Sequence, residues 1–145
     1  MNRNIRRLMT RAARGFTLIE MLVVIAIIAL LAGLVGPAVM DRLGGAKSKT
    51  AGIQIADLDK SLELFKLDVG RYPTSAEGLQ ALVTKPGSAN GWNGPYLKGG
   101  LPSDPWGNAY RYANPGPNGG IEILSLGADN APGGEGENAD VRNKQ

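Results

Sequence analysis

The chain has 145 residues, contains neither cysteine nor histidine, and carries a formal net charge of +3. These absences exclude a disulfide framework, a zinc site built on cysteine or histidine, and the usual general base of enzymes, so an enzymatic function is not expected. Five arginines lie in the first 15 residues, which leaves 11 basic against 13 acidic side chains, a formal charge of −2, in the rest. Because the basic character belongs to the leader, nucleic acid is not expected as a partner.

An uncharged apolar segment follows this leader, from Met21 to Met40. Its twenty residues are enough to cross a hydrocarbon core of about 30 Å as a helix. The preceding arginines predict that residues 1 to 15 lie in the cytoplasm and that everything after Met40 lies across the membrane. The alternative is a secretory signal, whose apolar region has about 7 to 15 residues, and the greater length here favours a retained membrane helix.

The helical period continues beyond Met40 but becomes amphipathic. Apolar residues at spacings of three and four form one stripe, while charged residues fill the other faces. The stripe consists of Ile55, Leu58, Leu62, Phe65 and Val69. A single helix from Phe16 to Val69 would be about 80 Å long. Gly44 and Gly45 interrupt the helix-forming residues, and Pro37 predicts a kink or local melting.

Glycine and proline become frequent after residue 70. The sequence predicts a turn at Tyr72-Pro73 and then a short helix that begins at an N-cap, Thr74 or Ser75, and ends before Pro86. The segment that follows, up to residue 108, is predicted to be ordered loop because glycine and proline recur throughout it.

Two later segments, 109–113 and 121–126, have strand composition and are separated by a turn-rich stretch. We expect them to form an antiparallel hairpin against the amphipathic helix. The last segment, after residue 126, has little to bury and several acids. The predicted fold is therefore α+β, with a long N-terminal helix packed on a small antiparallel sheet and followed by a loop-rich C-terminal region.

One acidic residue, Glu20, lies at the start of the apolar segment. Such a residue usually has a partner, because an acid at the centre of a membrane helix costs about 2.5 to 3.5 kcal/mol and less near the edge. No basic residue lies between Arg14 and Arg42. Cleavage between Gly15 and Phe16 would create an amino group, and this amine on a neighbouring subunit is a candidate partner that would stagger the subunits. The alternative is a carboxylate that stays at the level of the lipid headgroups.

The segment "RGFTLIEMLVVIAIIALLAGLVGP" resembles the class III leader of type IV pilins and pseudopilins. Gly15, Phe16 and Glu20 match the glycine before the cleavage site, the methylated first residue and the acid at the fifth mature position. Pro37 falls where the family commonly has proline. The resemblance implies cleavage and N-methylation by a prepilin peptidase, which makes residues 1–15 the leader and residues 16–40 the transmembrane and assembly helix.

Three further motifs resemble the major pseudopilin family of type II secretion systems: "YPTSAEGLQALV" (72–83), "LPSDPWGNAYRY" (101–112) and "ILSLGADNAPGGEGENAD" (123–140). The family implies a homopolymeric filament, the pseudopilus, which grows from the inner membrane into the periplasm and helps to export folded proteins. The implied partners are the prepilin peptidase, the minor pseudopilins and the inner-membrane assembly platform. The implied location is a single pass through the inner membrane with residues 41–145 in the periplasm.

The acidic C-terminal segment contains oxygen ligands of the kind that calcium prefers. Asp129 and Asp140 bracket a glycine-rich loop whose carbonyls can turn inward. An EF-hand is excluded, because Ala131 and Gly133 occupy ligand positions without a side-chain oxygen. A solvated acidic tail is the alternative. A staple is nevertheless expected, because a small loop-rich domain without disulfides usually needs one.

The resemblance implies a structural calcium in this segment, held by the backbone carbonyl of Leu126 and the side chains of Asp129 and Asp140. The chain departs from the family at its end, where Arg142 stands in place of a common glycine and the tryptophan that often follows is absent. Two other functions stay open. One is a type IV pilin subunit, which more often has a C-terminal disulfide, and the other is a monomeric membrane-anchored calcium-binding module in which Glu20 is incidental.

Overall fold

The structure, a computed structural model, describes residues 15 to 144 apart from the side chain of Asp41. The rest of the predicted leader, residues 1–14, lies outside the described residues. The chain divides into two compact units between Ala38 and Val39. The elements in chain order are helix α1 (Leu18–Val69), a first 3-10 helix (Leu79–Leu82), strands β1 (Arg111–Ala113) and β2 (Glu122–Ser125), a second 3-10 helix (Gly136–Asn138) and strand β3 (Val141–Arg142).

The N-terminal unit contains the apolar part of α1. Every described residue from 15 to 38 except Gly36 is exposed. The most apolar stretch of α1 has a mean hydropathy of 2.9, and among the described residues α1 is the one helix long and apolar enough to cross a membrane. None of this stretch is buried. A helix that is apolar on all sides and has no protein around it requires lipid or other apolar helices as its surroundings.

Helix α1 continues through Pro37, Gly44 and Gly45. The local melting that Pro37 predicted therefore does not occur. A proline inside a helix removes one hydrogen bond and crowds the preceding turn, but the neighbouring residues retain enough intrahelical hydrogen bonds to stay helical.

The core of the second unit forms around the amphipathic part of α1. Ile55, Leu58, Leu62 and Phe65 are each at most 1% exposed, as the predicted stripe requires. Val69, at the end of the stripe, is only partly buried. The stripe packs against residues from the first 3-10 helix, the loops and the sheet: Leu79, Ala81, Leu82, Ala89, Tyr110, Ile121 and Ile123.

The predicted short helix before Pro86 is present as the first 3-10 helix, but it begins later than predicted. The predicted N-cap, Thr74 or Ser75, is wrong for this helix, whose N-cap is Gly78. Thr74 instead caps the preceding turn: its Oγ1 accepts a hydrogen bond from the N–H of Glu77 (3.2 Å) while Glu77 Oε2 accepts one from the N–H of Thr74 (2.8 Å). The turn cannot continue as an α-helix, because Gly78 has a φ of 61° and leaves the helical region. Only the 3-10 helix Leu79–Leu82 follows.

The three strands form one antiparallel sheet in the order β1-β2-β3. The predicted hairpin is present, with Arg111 opposite Leu124. Strand β3 was not predicted, and it places Arg142 opposite Leu124 on the other side of β2. The C-terminal segment thus returns to the sheet. The predicted α+β fold, a long N-terminal helix with a small antiparallel sheet, is confirmed.

Candidate functional site

The predicted cleavage site lies just before α1. Gly15 and Phe16 are exposed and precede the first helical residue, Leu18. Their backbone is therefore outside the helical hydrogen-bond pattern, and the bond between them is accessible in the described part of the chain.

The Glu20 carboxylate has a local partner that sequence analysis did not anticipate. Its Oε2 accepts a hydrogen bond from the backbone N–H of Thr17 at 3.2 Å, and Thr17 Oγ1 accepts one from the N–H of Glu20 at 3.2 Å. This reciprocal capping box satisfies two of the N–H groups that a helix start leaves without acceptors. The T-x-x-E spacing of Thr17 and Glu20 is the sequence signal for this capping box. Glu20 Oε1 has no hydrogen-bond partner within residues 15–144, and the side chain is exposed, so this oxygen can bind a cation from outside the subunit.

The three predicted calcium ligands lie in the C-terminal loop, residues 126–140, between β2 and β3. The pairing of Ser125 with Val141 brings the two flanking residues, Leu126 and Asp140, to the same end of the sheet. Leu126 is buried, whereas Asp129 lies in an exposed turn. Asp129 Oδ1 accepts a hydrogen bond from a backbone N–H two residues later at 3.1 Å. The structure thus brings together the two ends of the predicted site, with Asp129 on the outer turn.

The carboxylate of Asp140 is mostly buried, with a side chain only 10% exposed. Its Oδ2 accepts a hydrogen bond from Arg142 Nη2 at 3.0 Å, and Nη1 of the same guanidinium donates to Glu122 Oε1 at 3.1 Å. Asp140 Oδ1 is buried and has no hydrogen-bond partner in the described part of the chain. A buried carboxylate oxygen without a donor is unfavourable unless a cation or another donor lies beside it.

Glycines let the C-terminal loop fold back on itself. Gly127 and Gly134 have positive φ angles of 68° and 85°, and a Cβ on either would lie 2.9 Å and 2.5 Å, respectively, from the carbonyl oxygen of Asn138. The N–H of Ala128 donates to the carbonyl of Glu137 at 2.9 Å. Only glycine fits at both close approaches, so backbone oxygens are gathered within the loop. Among residues 15–144 no three acidic side chains converge, so backbone oxygens would have to complete any calcium shell.

A buried polar network holds the start of this loop. Asp104 Oδ1 accepts hydrogen bonds from the N–H groups of Asn108 (2.8 Å) and Trp106 (3.1 Å), and its Oδ2 accepts one from Ser125 Oγ at 2.6 Å. Ser125 Oγ in turn accepts one from the N–H of Gly127 at 3.3 Å. The segment "SDPWGN" was predicted only as ordered loop, although an aspartate before such a turn typically accepts backbone hydrogen bonds. The network ties this turn to the end of β2.

A second polar cluster joins Arg71, directly after α1, to Glu77 and Ser88. Arg71 donates from Nη1 and Nη2 to the two oxygens of Glu77 at 2.7 Å and 2.8 Å, and Ser88 Oγ also donates to Glu77 Oε1 at 2.8 Å. The hydrogen-bonded guanidinium of Arg71 is the main cause that holds the pKa of Glu77 well below its ordinary value. The cluster fixes chain segments to one another, and Glu77 and Ser88 also line an open pocket that contains Lys85.

Two family models cover nearly the whole chain. The model described as type II secretion system (T2SS), protein G, matches residues 38–144, and the model of the prokaryotic N-terminal methylation motif matches residues 10–36. The two matches together span the apolar segment, the core and the C-terminal loop.

Individual relatives agree with these models. The chain is 44% identical over 137 residues to the type II secretion system core protein G of Vibrio cholerae, with 92% of both chains covered. It is 45% identical over 137 residues to that of Pseudomonas aeruginosa, covering 92% of this chain and 96% of the relative. A crystal structure of the major pseudopilin from the type 2 secretion system of enterohaemorrhagic Escherichia coli matches with a TM-score of 0.62 at 34% identity, covering 72% of this chain and 91% of that one. The chain therefore belongs to the protein G family of the type II secretion system, the family of the major pseudopilin.

Proposed function

We propose that the chain is the major structural subunit of a type II secretion pseudopilus, a filament that helps to export folded proteins across the outer membrane. The observation that carries this proposal is the exposed apolar segment of α1, which begins at a methylation motif and leads into a domain of the protein G family. Relatives described as core proteins of type II secretion and as a major pseudopilin support the same role. The role is structural rather than catalytic.

In the proposed pathway the subunit first inserts into the inner membrane. The leader, residues 1–15, stays in the cytoplasm, the apolar part of α1 crosses the membrane, and residues 41–145 lie in the periplasm. A prepilin peptidase then cuts between Gly15 and Phe16 and methylates the new terminus. Cleavage removes five arginines and leaves one positive charge, the α-amino group, at the start of the apolar segment.

Glu20 then directs assembly by binding the α-amino group of a neighbouring subunit. One carboxylate oxygen is held by the N–H of Thr17, and the other has no hydrogen-bond partner among residues 15–144. Burying the acid and the amine together avoids an uncompensated charge in the apolar filament interior, which would be strongly unfavourable. The same offset repeats at each addition, so contacts of this head-to-tail kind generate a helical filament. The minor pseudopilins and the inner-membrane assembly platform are the further partners of this process.

We also propose that the C-terminal loop binds a structural calcium through the carbonyl of Leu126 and the side chains of Asp129 and Asp140. The buried, unpartnered Asp140 Oδ1 supports this site within the described residues, as do the backbone oxygens gathered by Gly127 and Gly134. Bound calcium would supply the positive charge that draws these oxygens together. The loop would then be stapled without a disulfide.

Electron microscopy and cross-linking of the overproduced full chain test the assembly role. We expect filaments and a ladder of cross-linked species, and only monomers from the variant Gly15→Val, which blocks cleavage while leaving the apolar helix intact. Monomers from the unmutated chain under the same conditions would favour the monomeric membrane-anchored module. Restored secretion in a Pseudomonas aeruginosa strain lacking its own core protein G would separate a pseudopilin from a type IV pilin.

A further inference from the structure

Arg142 bridges two carboxylates at the end of the C-terminal loop. Its guanidinium lies 3.1 Å from Glu122 Oε1 and 3.0 Å from Asp140 Oδ2. The two carboxylate side chains are only 15% and 10% exposed, while Arg142 itself is 50% exposed. Because Glu122 begins β2 and Asp140 immediately precedes β3, one side chain joins the end of the loop to the central strand.

We infer that Arg142 is a resident cation that keeps the C-terminal loop closed in the absence of a metal ion, and that it thereby lowers the affinity of the loop for Ca²⁺. The inference rests on the calcium site of the proposed function. A guanidinium is permanently charged, and its planar fork suits simultaneous binding of two carboxylates. It therefore supplies, from the protein itself, part of the charge neutralisation that a metal ion would bring.

The geometry places the guanidinium and the calcium position on the same carboxylate. Arg142 holds Oδ2 of Asp140, and Oδ1 is the buried oxygen without a partner in the described part of the chain. A Ca²⁺ ion at Oδ1 would share the charge of Asp140 with the guanidinium, and the two cations would repel each other across one carboxylate. Arg142 thus favours the closed loop while opposing the ion.

This arrangement differs from an ordinary surface ion pair, which contributes little because both partners are solvated. Here the carboxylates of Glu122 and Asp140 are mostly buried, so removing the guanidinium leaves two poorly solvated charges without compensation. Arg111 provides a matched comparison. It lies in the same cross-strand row, on the other side of Leu124, is exposed, and forms no ion pair within residues 15–144.

The test uses the purified full chain in detergent micelles, with the variants Arg142→Gln, Arg142→Lys and Arg111→Gln. Thermal unfolding with chelator measures the metal-free loop, and calorimetric titration with CaCl₂ measures affinity. Without calcium, we expect Arg142→Gln to lower the unfolding midpoint by about 4 °C and to increase amide exchange across residues 126–140. In the titration, we expect its dissociation constant for Ca²⁺ to fall about tenfold.

The other two variants separate charge from geometry. Arg142→Lys should keep the weak calcium affinity, because the positive charge remains, but should lose part of the metal-free stability, because an ammonium cannot bridge both carboxylates as a planar fork. Arg111→Gln should match the unmutated chain in both measurements. If Arg142→Gln and Arg111→Gln unfold alike without metal, the closing role is wrong.

The titration distinguishes this inference from the calcium site on which it rests. Calcium binding by the unmutated chain with no tighter binding by Arg142→Gln would overturn the inference and leave the site standing. Binding by Arg142→Gln alone would support the inference and contradict the site in the unmutated chain. An absence of binding in both proteins would overturn the calcium site and the effect of Arg142 on calcium affinity, while unfolding with chelator decides the closing role.

Discussion

The two units of the chain contain the same apolar residue types but surround them differently. In the second unit, Ile55, Leu58 and Phe65 on α1 are buried by loops and the sheet. In the N-terminal unit, Ile25 and Leu30 on the same helix are exposed, as are nearly all their neighbours. The second unit therefore has its own core, whereas the first acquires an interior only from lipid or from other copies of the chain. Assembly is the step at which the first unit completes its packing.

Glu77 and Asp104 of the second unit differ from Glu20 of the first in the same way. In the second unit, Glu77 and Asp104 have both oxygens bound by groups of the chain itself. In the first unit, Glu20 binds the N–H of Thr17 with one oxygen and keeps the other free among the described residues. A change in the first unit should thus affect assembly, and a change in the second should affect folding.

The largest expected effect is on assembly. We expect Glu20→Ala to reduce filament yield at least about 100-fold, because the amine of each neighbour would be buried without a countercharge. Insertion, cleavage and the unfolding midpoint of the second unit should not change. Quantitative immunoblotting of sheared filaments against membranes measures this, with Thr17→Ala as the control that removes the cap but keeps the carboxylate. Filaments of normal yield from Glu20→Ala would contradict the assembly role.

Three leucines on α1 allow a matched test of the core. Leu62 is fully buried, Leu67 is 80% exposed on the same part of the helix, and Leu30 is exposed in the N-terminal unit. Leu62→Ala should lower the free energy of unfolding by about 2 to 5 kcal/mol, because it leaves a cavity. Leu67→Ala and Leu30→Ala should each change it by less than about 0.5 kcal/mol. Thermal unfolding of the full chain in detergent measures these changes. Equal losses of unfolding free energy in Leu62→Ala and Leu30→Ala would contradict the distinction between the units.

The next effect concerns the Arg71–Glu77 pair. We expect Glu77→Gln to lower the free energy of unfolding by about 2 kcal/mol at neutral pH, because it weakens hydrogen bonds to a charged group. The pKa of Glu77 is depressed in the folded state, so its contribution is fully present above the ordinary value of 4.5 and is lost as the pH falls below it. The difference between Glu77→Gln and the unmutated chain should therefore narrow in acid. Glu135→Gln, at an exposed site, is the control, and a difference that is constant from pH 7 to pH 3 would refute the assignment.

The smallest effect tests how the C-terminal loop rests on α1. A Cβ on Gly44 would overlap the side chain of Glu137, whereas a Cβ on Gly45 meets nothing. Replacing glycine by alanine inside a helix stabilises it by up to about 1 kcal/mol, so Gly45→Ala should raise the unfolding midpoint. Gly44→Ala should lose this gain, because Glu137 must move. The gain should return in the double variant Gly44→Ala with Glu137→Ala. Equal changes of the unfolding midpoint in Gly44→Ala and Gly45→Ala would show that the contact with Glu137 is unimportant.

Much of this architecture could be predicted because it depends on local periodicity. The three-four spacing from Ile55 to Val69 identified the face of α1 that packs on the core, and strand composition identified the hairpin. Strand β3 could not be found in this way, since two residues carry no pattern and their pairing depends on the register of β2. The start of the short helix at Leu79, rather than directly after Thr74, depends on the backbone angle of Gly78, which composition does not reveal.

The candidate sites show the same division. Gly15, Phe16 and Glu20 belong to one short motif that the sequence alone predicts as a candidate site. The capping role of Thr17 was missed, although its T-x-x-E spacing with Glu20 indicates it. The ion pairs of Arg142 with Glu122 and Asp140 required the fold, because Glu122 is twenty residues away in the chain. The contact of Glu137 with Gly44 likewise joins segments that only the tertiary structure brings together.

The most direct test of the whole account is the mass of the amino terminus of the protein purified from membranes that contain a prepilin peptidase. Assembly through Glu20 requires that the leader be removed and that the new amine belong to Phe16. We predict a protein that begins at Phe16 and carries one N-methyl group. A protein that retains residues 1–15, or that begins at any other residue, would contradict the account.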